Sequence, residues 1–342
     1  MSLSGSKMRK FSIVGRGLLL AVLLVFAFGP AYSQSKLPDT ENCDFLAVSP
    51  DSTICVLFKY LDDSDSDFAE GNVMLYNLLD NSIHKLNDEV FVREFTKCEW
   101  RPVHGTDVFL LSDDAGIELY SVKSGKKKLL VPEHDNQMVY DFSLSNSGDE
   151  IAYCMLEREG SGNSFQKIYI MNLKTGKKRS VMSFQDPDMG GGLYMARVRW
   201  SITDDCLYVV NELESKLYSI SIKTGDTTKV DNGVVGGISM DSRSLLPNDK
   251  GIYYPKEKAL FVFDKSSGKT ERVLDFKEKV KIHALGKAAL SRLFVSFNNN
   301  LLRIDPAKKE VRLVFSRRGA IVEYCNNGFI ILKYQNALWK LK

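Results

Sequence analysis

The amino-acid sequence predicts an all-β chain folded as a seven-bladed β-propeller of four-stranded antiparallel blades. Three observations predict it. A hairpin recurs at spacings of 44, 51, 49, 43 and 41 residues, each period holds four strand-like runs, and no convincing helix interrupts them. A period in this range signals a solenoid or a propeller, and four short strands per period select the propeller.

The hairpin is clearest where it is copied best. "IYIMNLKTGKK" at 168–178 returns as "LYSISIKTGDT" at 217–227. In all copies the strand ends at Asn77, Ser121, Asn172, Ser221, Asp264 and Asp305, and the turn comes four residues later, at Asn81, Gly125, Gly176, Gly225, Gly268 and Lys309. Five of these six are Gly or Asn, which accept the positive φ of a tight hairpin. Lys309 is the exception; it follows "DPAK", where Pro306 is expected to set the turn instead.

The third period shows the content of a blade. "VYDFSLS" (139–145), "EIAYCML" (150–156), "KIYIMNL" (167–173) and "KKRSVMSF" (177–184) are rich in Val, Ile, Tyr and Phe and are separated by Gly, Asn, Asp and Ser. One such sheet cannot bury both faces, so blades must pack face to face around an axis. Blocks open with strands near 44–48, 95–100, 139–144, 195–200, 236–240, 281–285 and 321–325, which makes seven; a six-bladed ring with irregular ends is the alternative. The seventh block runs out after three strands. An open edge invites pairing with other chains, so part of 34–42 is expected to supply the missing outer strand, weakened by Pro38.

The N-terminus reads as a leader. Lys7, Arg9, Lys10 and Arg16 precede "LLLAVLLVFAF" (18–28), then Gly29-Pro30 and the small-x-small site Ala31-Tyr32-Ser33. That order is a secretory signal peptide over 1–33, cleaved after Ser33, leaving 34–342 as a single propeller domain. An uncleaved anchor is the rival, but the charge-free stretch 17–33 is at the short limit for a span. Export places the protein in the periplasm or outside the cell, with no membrane span after cleavage. The leader also holds four basic residues and no acidic one, so the 46 basic and 43 acidic residues of the chain become 42 against 43 in the body. A neutral body carries no nucleic-acid field. "GKKKLL" (125–130) and "GKKRSV" (176–181) read as charged edge strands protected from pairing.

The six cysteines, at 43, 55, 98, 154, 206 and 325, all lie in the exported part. Disulfides are permitted there, yet Cys55, Cys98 and Cys154 sit in apolar runs, where a buried free thiol is the expected state.

"VSPDSTICVLF" (48–58), "LSNSGDEIAYC" (144–154) and "WSITDDCLYVV" (200–210) resemble the first-to-second-strand segment of TolB-like propeller repeats, with "WRPVHGTDVFLL" (100–111) a looser copy. Only the first block keeps Ser49-Pro50-Asp51, and blocks five to seven are poor copies. The resemblance implies a propeller in a periplasmic setting, with the motif making a turn and a packing contact. It transfers no catalytic residue. No WD dipeptide closes the third strands, which sets the chain apart from an ordinary WD-repeat protein.

Motifs for catalysis are missing: there is no G-x-S-x-G, H-E-x-x-H, P-loop or G-x-G-x-x-G. Propellers of the TolB-like kind precede hydrolase domains in some peptidases, whereas here the blades are expected to use the whole length. His84, His104, His134 and His283 are scattered over different blocks and read as surface or packing residues. "DDSDSDFAEG" (62–71) alternates Asp63, Asp65 and Asp67 before Glu70, but Phe68 stands where a calcium loop needs Gly. It reads as a solvated acidic loop, with calcium as the alternative and no other cofactor implied.

The binding candidates come from the geometry of a ring. Aligning inner strands on Trp100, Leu144, Trp200 and Met240 puts the residues one and three earlier on the channel face: Lys97 and Glu99, Asp141 and Ser143, Arg197 and Arg199, Gly237 and Ser239. His283 and Glu323 fall near the same level. The loop "FQDPDMGGGLYMARVRW" (184–200) adds a Gly triplet, Met189, Tyr194 and Met195 beside the arginines. The leading expectation is a non-enzymatic propeller that binds a protein or peptide partner at the channel rim. The alternative is a propeller lyase, lactonase or glycan hydrolase using channel carboxylates such as Glu99 and Asp141.

Overall fold

The second strand of each blade shows why this sequence closes into a ring. In Ile54–Tyr60, Cys55 and Leu57 enter one core while Val56 and Phe58 enter the next. Blade three repeats the split, with Ile151, Tyr153 and Met155 against blade two and Ala152 and Cys154 against blade four. Blade four does so again with Leu207 and Val209 on one side and Tyr208 and Val210 on the other. Side chains alternate along a strand, so a sheet packed on both faces is apolar at every position of its central strand. The interfaces from blade one to blade six are thus cores shared by two neighbouring blades. Phe329, Ile331 and Leu338 packed with Phe45, Leu57 and Tyr76 join blade seven to blade one and close the circle.

The computed structural model describes residues 34–61, 68–93, 96–101, 107–113, 115–159, 162–186, 195–234, 245–276, 281–283, 293–297, 300–325 and 329–341, with backbone alone at 68–69, 87–93, 281–283, 297 and 325. The expected leader, 1–33, lies outside them. Seven four-stranded antiparallel sheets follow one another along the chain. Their inner strands are Cys43–Val48, Cys98–Trp100, Gln137–Leu144, Ala196–Trp200, Leu246–Pro247, Lys281–His283 and Ile321–Cys325. Among the described residues no helix is long and apolar enough to cross a membrane.

The outer place in blade seven is filled from the other end of the chain. Gln34–Lys36 pairs antiparallel with Ala337–Leu341, Gln34 opposite Leu341. Leu37 N donates to Leu338 O at 2.9 Å, and Pro38 lies beyond the strand, where no ladder bond is interrupted. In blades one to six a register shift interrupts the pairing of third and outer strands, as between Ile168 and Tyr169 or Leu217 and Tyr218. A bulge there twists the exposed edge and blunts it as a template for aggregation.

All six expected turn positions have positive φ, from 54° at Lys309 to 77° at Gly225. Lys309 therefore takes the strained conformation itself, and Pro306 does not relieve it. The residues opening these turns act as local acceptors: Asn172 Oδ1 receives the Lys174 and Thr175 N–H groups at 3.1 and 2.9 Å, and Asp264 Oδ1 receives those of Ser266 and Ser267 at 2.8 and 3.0 Å.

Blade five departs from expectation. Its inner strand is Leu246–Pro247, not 236–240, and the segment around Met240 lies outside the described residues. Elsewhere a buried serine turns the first strand into the second: Ser49, Ser145 and Ser201 accept the N–H five residues on at 2.9, 3.0 and 3.2 Å. In blade five Asn248 accepts from Gly251 N at 2.7 Å across a two-residue turn. The shorter turn shifts the strand toward the C-terminus. Pro247 is tolerated because an inner strand is a sheet edge.

Cys43, Cys55, Cys98, Cys154 and Cys206 are buried and unbridged. Burial pushes the Cys43 thiol up to about 11 and that of Cys55 to about 12, so these are inert apolar groups.

Candidate functional site

An inner strand has a partner on one side only, so alternate N–H groups face the channel and need acceptors. In blade four these are Ala196, Val198 and Trp200, and blade three caps all of them. Gln166 Oε1 accepts from Ala196 N at 2.7 Å, Asp141 Oδ2 from Val198 N at 2.8 Å, and Ser143 Oγ from Trp200 N at 3.2 Å. Glu99 Oε2 does the same for Leu144 N across the preceding interface, at 2.8 Å. The pairings advance together along the chain, so the inner strands of blades two, three and four run parallel.

The remaining carboxylate oxygens meet cations. Lys97 Nζ lies 3.0 Å from Glu99 Oε1 and 3.0 Å from Asp141 Oδ1, and it also donates to Phe142 O. Arg199 reaches past blade three to the same Glu99 oxygen. The Asp141 side chain is 1% exposed and that of Glu99 18%. Burial alone would raise the Glu99 pKa, but Lys97, Arg199 and the Leu144 N–H outweigh it and hold the carboxyl below its usual range. All four oxygens of the pair have a donor. Two carboxylates share one ammonium, and the depressed pKa of Glu99 leaves that carboxyl poorly poised to carry a proton at neutral pH.

Arg197 goes elsewhere. Its Nε lies 3.7 Å from Glu212 Oε1, while Met195 N donates to Glu212 Oε2 at 3.2 Å. Arg197 Nε and Glu212 Oε1 are both buried without a hydrogen bond. Burial raises the Glu212 pKa despite the arginine. The pair stands where segment 187–194 (itself outside the described residues) enters blade four.

Of the seven channel residues expected from the sequence, Lys97, Glu99, Asp141 and Arg199 form one network and Arg197 a second contact. The His283 side chain lies outside the described residues. Glu323 is half-buried at the bulge between Val322 and Tyr324. Glu212 and Gln166 were not foreseen; Glu212 stands in the turn just after a second strand and Gln166 on a third strand, off the face that the inner-strand alignment scans. Asp63, Asp65 and Asp67 lie outside the described residues, and Glu70 is exposed. Among the described residues no group of three or more His, Cys, Asp or Glu side chains is placed to hold a metal.

No family model matches the chain. Dipeptidyl-peptidase 5 of Porphyromonas gingivalis is 26% identical over 129 residues, 36% of this chain and 18% of that protein. The chain thus spans less than a fifth of that relative. Oligogalacturonate lyase of Vibrio parahaemolyticus superposes with a TM-score of 0.67 at 7% identity, over 92% of this chain and 94% of the lyase. The β-propeller domain of Cps50 (Swd1) from Myceliophteria thermophila gives 0.57 at 11% identity, over 92% and 98%. At such identities the likeness shows the fold alone, a β-propeller.

Proposed function

We propose that this chain is an exported, non-enzymatic propeller that captures a protein or peptide partner at the channel rim beside blade four. The observation that carries the reading is the Arg197–Glu212 pair. Arg197 and Glu212 form an ion pair 3.7 Å apart with no hydrogen bond between Nε and Oε1, a loosely satisfied charged pair at the entry to blade four that the polar backbone of a partner would complement. The Lys97–Glu99–Asp141–Arg199 network supports it from below as a rigid, charge-balanced wall. An acid–base enzyme built on Glu99 and Asp141 is disfavoured by the saturation of their oxygens.

The test is capture of envelope proteins on immobilised 34–342, comparing the parent with the double variant Arg197→Ala, Arg199→Ala. Capture should fall while the cooperative unfolding transition is retained. Unchanged capture would sink the rim assignment. Turnover of oligogalacturonate or a lactone that is abolished by Glu99→Gln would establish the enzymatic alternative instead.

A further inference from the structure

Two turns on neighbouring blades carry a charge density that edge protection does not require. "KSGKKK" (123–128) and "KTGKKR" (174–179) join third to outer strand in blades two and three, each with four cations and no acid. The outer strand of blade four, Thr227–Asn232, bulges in the same way yet holds one lysine and one aspartate. Because the inner strands of blades two to four run parallel and the sheets of blades one to six follow chain order, these turns emerge on the same end of the ring. The equivalent turn of blade one, next in the circle, presents Leu79 at 76% exposure, and Leu129 beside the first lysine cluster is 44% exposed.

We propose that this sector, blades one to three at the end bearing the third-to-outer turns, docks on the surface of an anionic lipid bilayer. Lys123 pairs with Asp107 at 2.7 Å, Lys174 with Asp149 at 3.0 Å and Lys127 with Glu118 at 3.4 Å. Lys126, Lys128, Lys177 and Arg179 are exposed with no carboxylate partner among the described residues. Lys126 and Lys177 stand in the turns and Lys128 and Arg179 on the first residues of the outer strands of two different blades, so the four are spread along two blade edges, where a laterally extended anionic plane suits them better than a discrete anion. Leu79 and Leu129 separate a bilayer from a soluble polyanion: apolar tips beside lysines suit the headgroup–acyl boundary. With the exported body near neutrality, so basic a sector also orients the molecule in an anionic surface field.

Cosedimentation of 34–342 tests this; that segment contains all seven sheets and their cores. Binding is expected to vesicles of phosphatidylcholine with about one third phosphatidylglycerol and not to phosphatidylcholine alone, falling as salt rises. Reversing the four unpaired charges together (Lys126→Glu, Lys128→Glu, Lys177→Glu, Arg179→Glu) should weaken binding at least about a hundredfold, and Leu79→Ser by a few-fold. Equal sedimentation with both vesicle types overturns the proposal. So does binding to soluble polygalacturonate as strong as to anionic vesicles, with Leu79→Ser unaltered, which would assign the surface to acidic polymers. If the quadruple variant does not fold, Lys177→Gln with Arg179→Gln replaces it, with a several-fold loss expected and no loss counting against. Rim variants at Arg197 and Arg199 should leave vesicle binding intact, so the two readings fail separately.

Discussion

Blades three and four are joined along their inner strands by Gln166, Asp141 and Ser143, which cap three successive edge N–H groups. Blades four and five are joined further out. There Asp231, on the outer strand of blade four, takes Lys256 Nζ at 2.9 Å and the Tyr254 hydroxyl at 2.7 Å, while Lys265 reaches Asp205 at the rim. The inner strand of blade five is two residues long, yet its second and third strands, Gly251–Lys256 and Ala259–Asp264, are fully formed. A blade is therefore held by its apolar central strands, and the polar stitching near the axis is a local addition. What that stitching does is fix charged side chains at the channel wall.

The largest test of this contrast removes one acceptor from each junction. Asp141→Ala leaves the Val198 N–H without its acceptor in a dry site and takes one of two carboxylates from Lys97, which keeps Glu99 and Phe142 O, and should cost about 2–3 kcal/mol in urea unfolding. Asp231→Ala frees groups nearer solvent and should cost about 1–2 kcal/mol. Equal losses would break the comparison.

Acid titration sharpens it next. The folded pKa of Glu99 is depressed below its ordinary 4.5, so its contribution is fully present above that value and is lost as pH falls through the folded pKa. Glu99→Gln should lose about 1.5–3 kcal/mol at neutral pH and unfold with a flatter acid limb than the parent. Parallel acid limbs would mean that Lys97 and Arg199 do not stabilise the carboxylate. A smaller effect is expected at the strand turns, where Ser201→Ala should cost about 1 kcal/mol by leaving the Cys206 N–H without its acceptor.

These differences also explain what could be read from the sequence. The turn positions were legible because positive φ is demanded of a single residue, and Gly and Asn answer that demand locally. The two-sided burial of second strands was legible as unbroken apolar runs. Channel residues were legible as a face, since alternation places Lys97 and Glu99 together, but not as a network: Arg199 reaches Glu99 across another blade, a distance no spacing encodes. Glu212 gave no periodic signal, being one residue past a strand of the next layer. In blade five the serine turn is replaced by Asn248, and with the motif gone the inner strand was placed too early.

The smallest expected effect isolates the one repeat that breaks the turn rule. Gly176 has φ 69° and open space around an added Cβ, so Gly176→Ala meets no neighbour and pays only for its backbone conformation, about 1 kcal/mol. Lys309 holds φ 54° with a side chain already present. Lys309→Gly should therefore change stability in the opposite direction, by less than about 1 kcal/mol because glycine also loosens the unfolded chain. Thermal unfolding of the two variants compares them directly. A destabilised Lys309→Gly would mean that the lysine side chain makes a contact worth more than the strain it imposes, and the six turns would then not be equivalent.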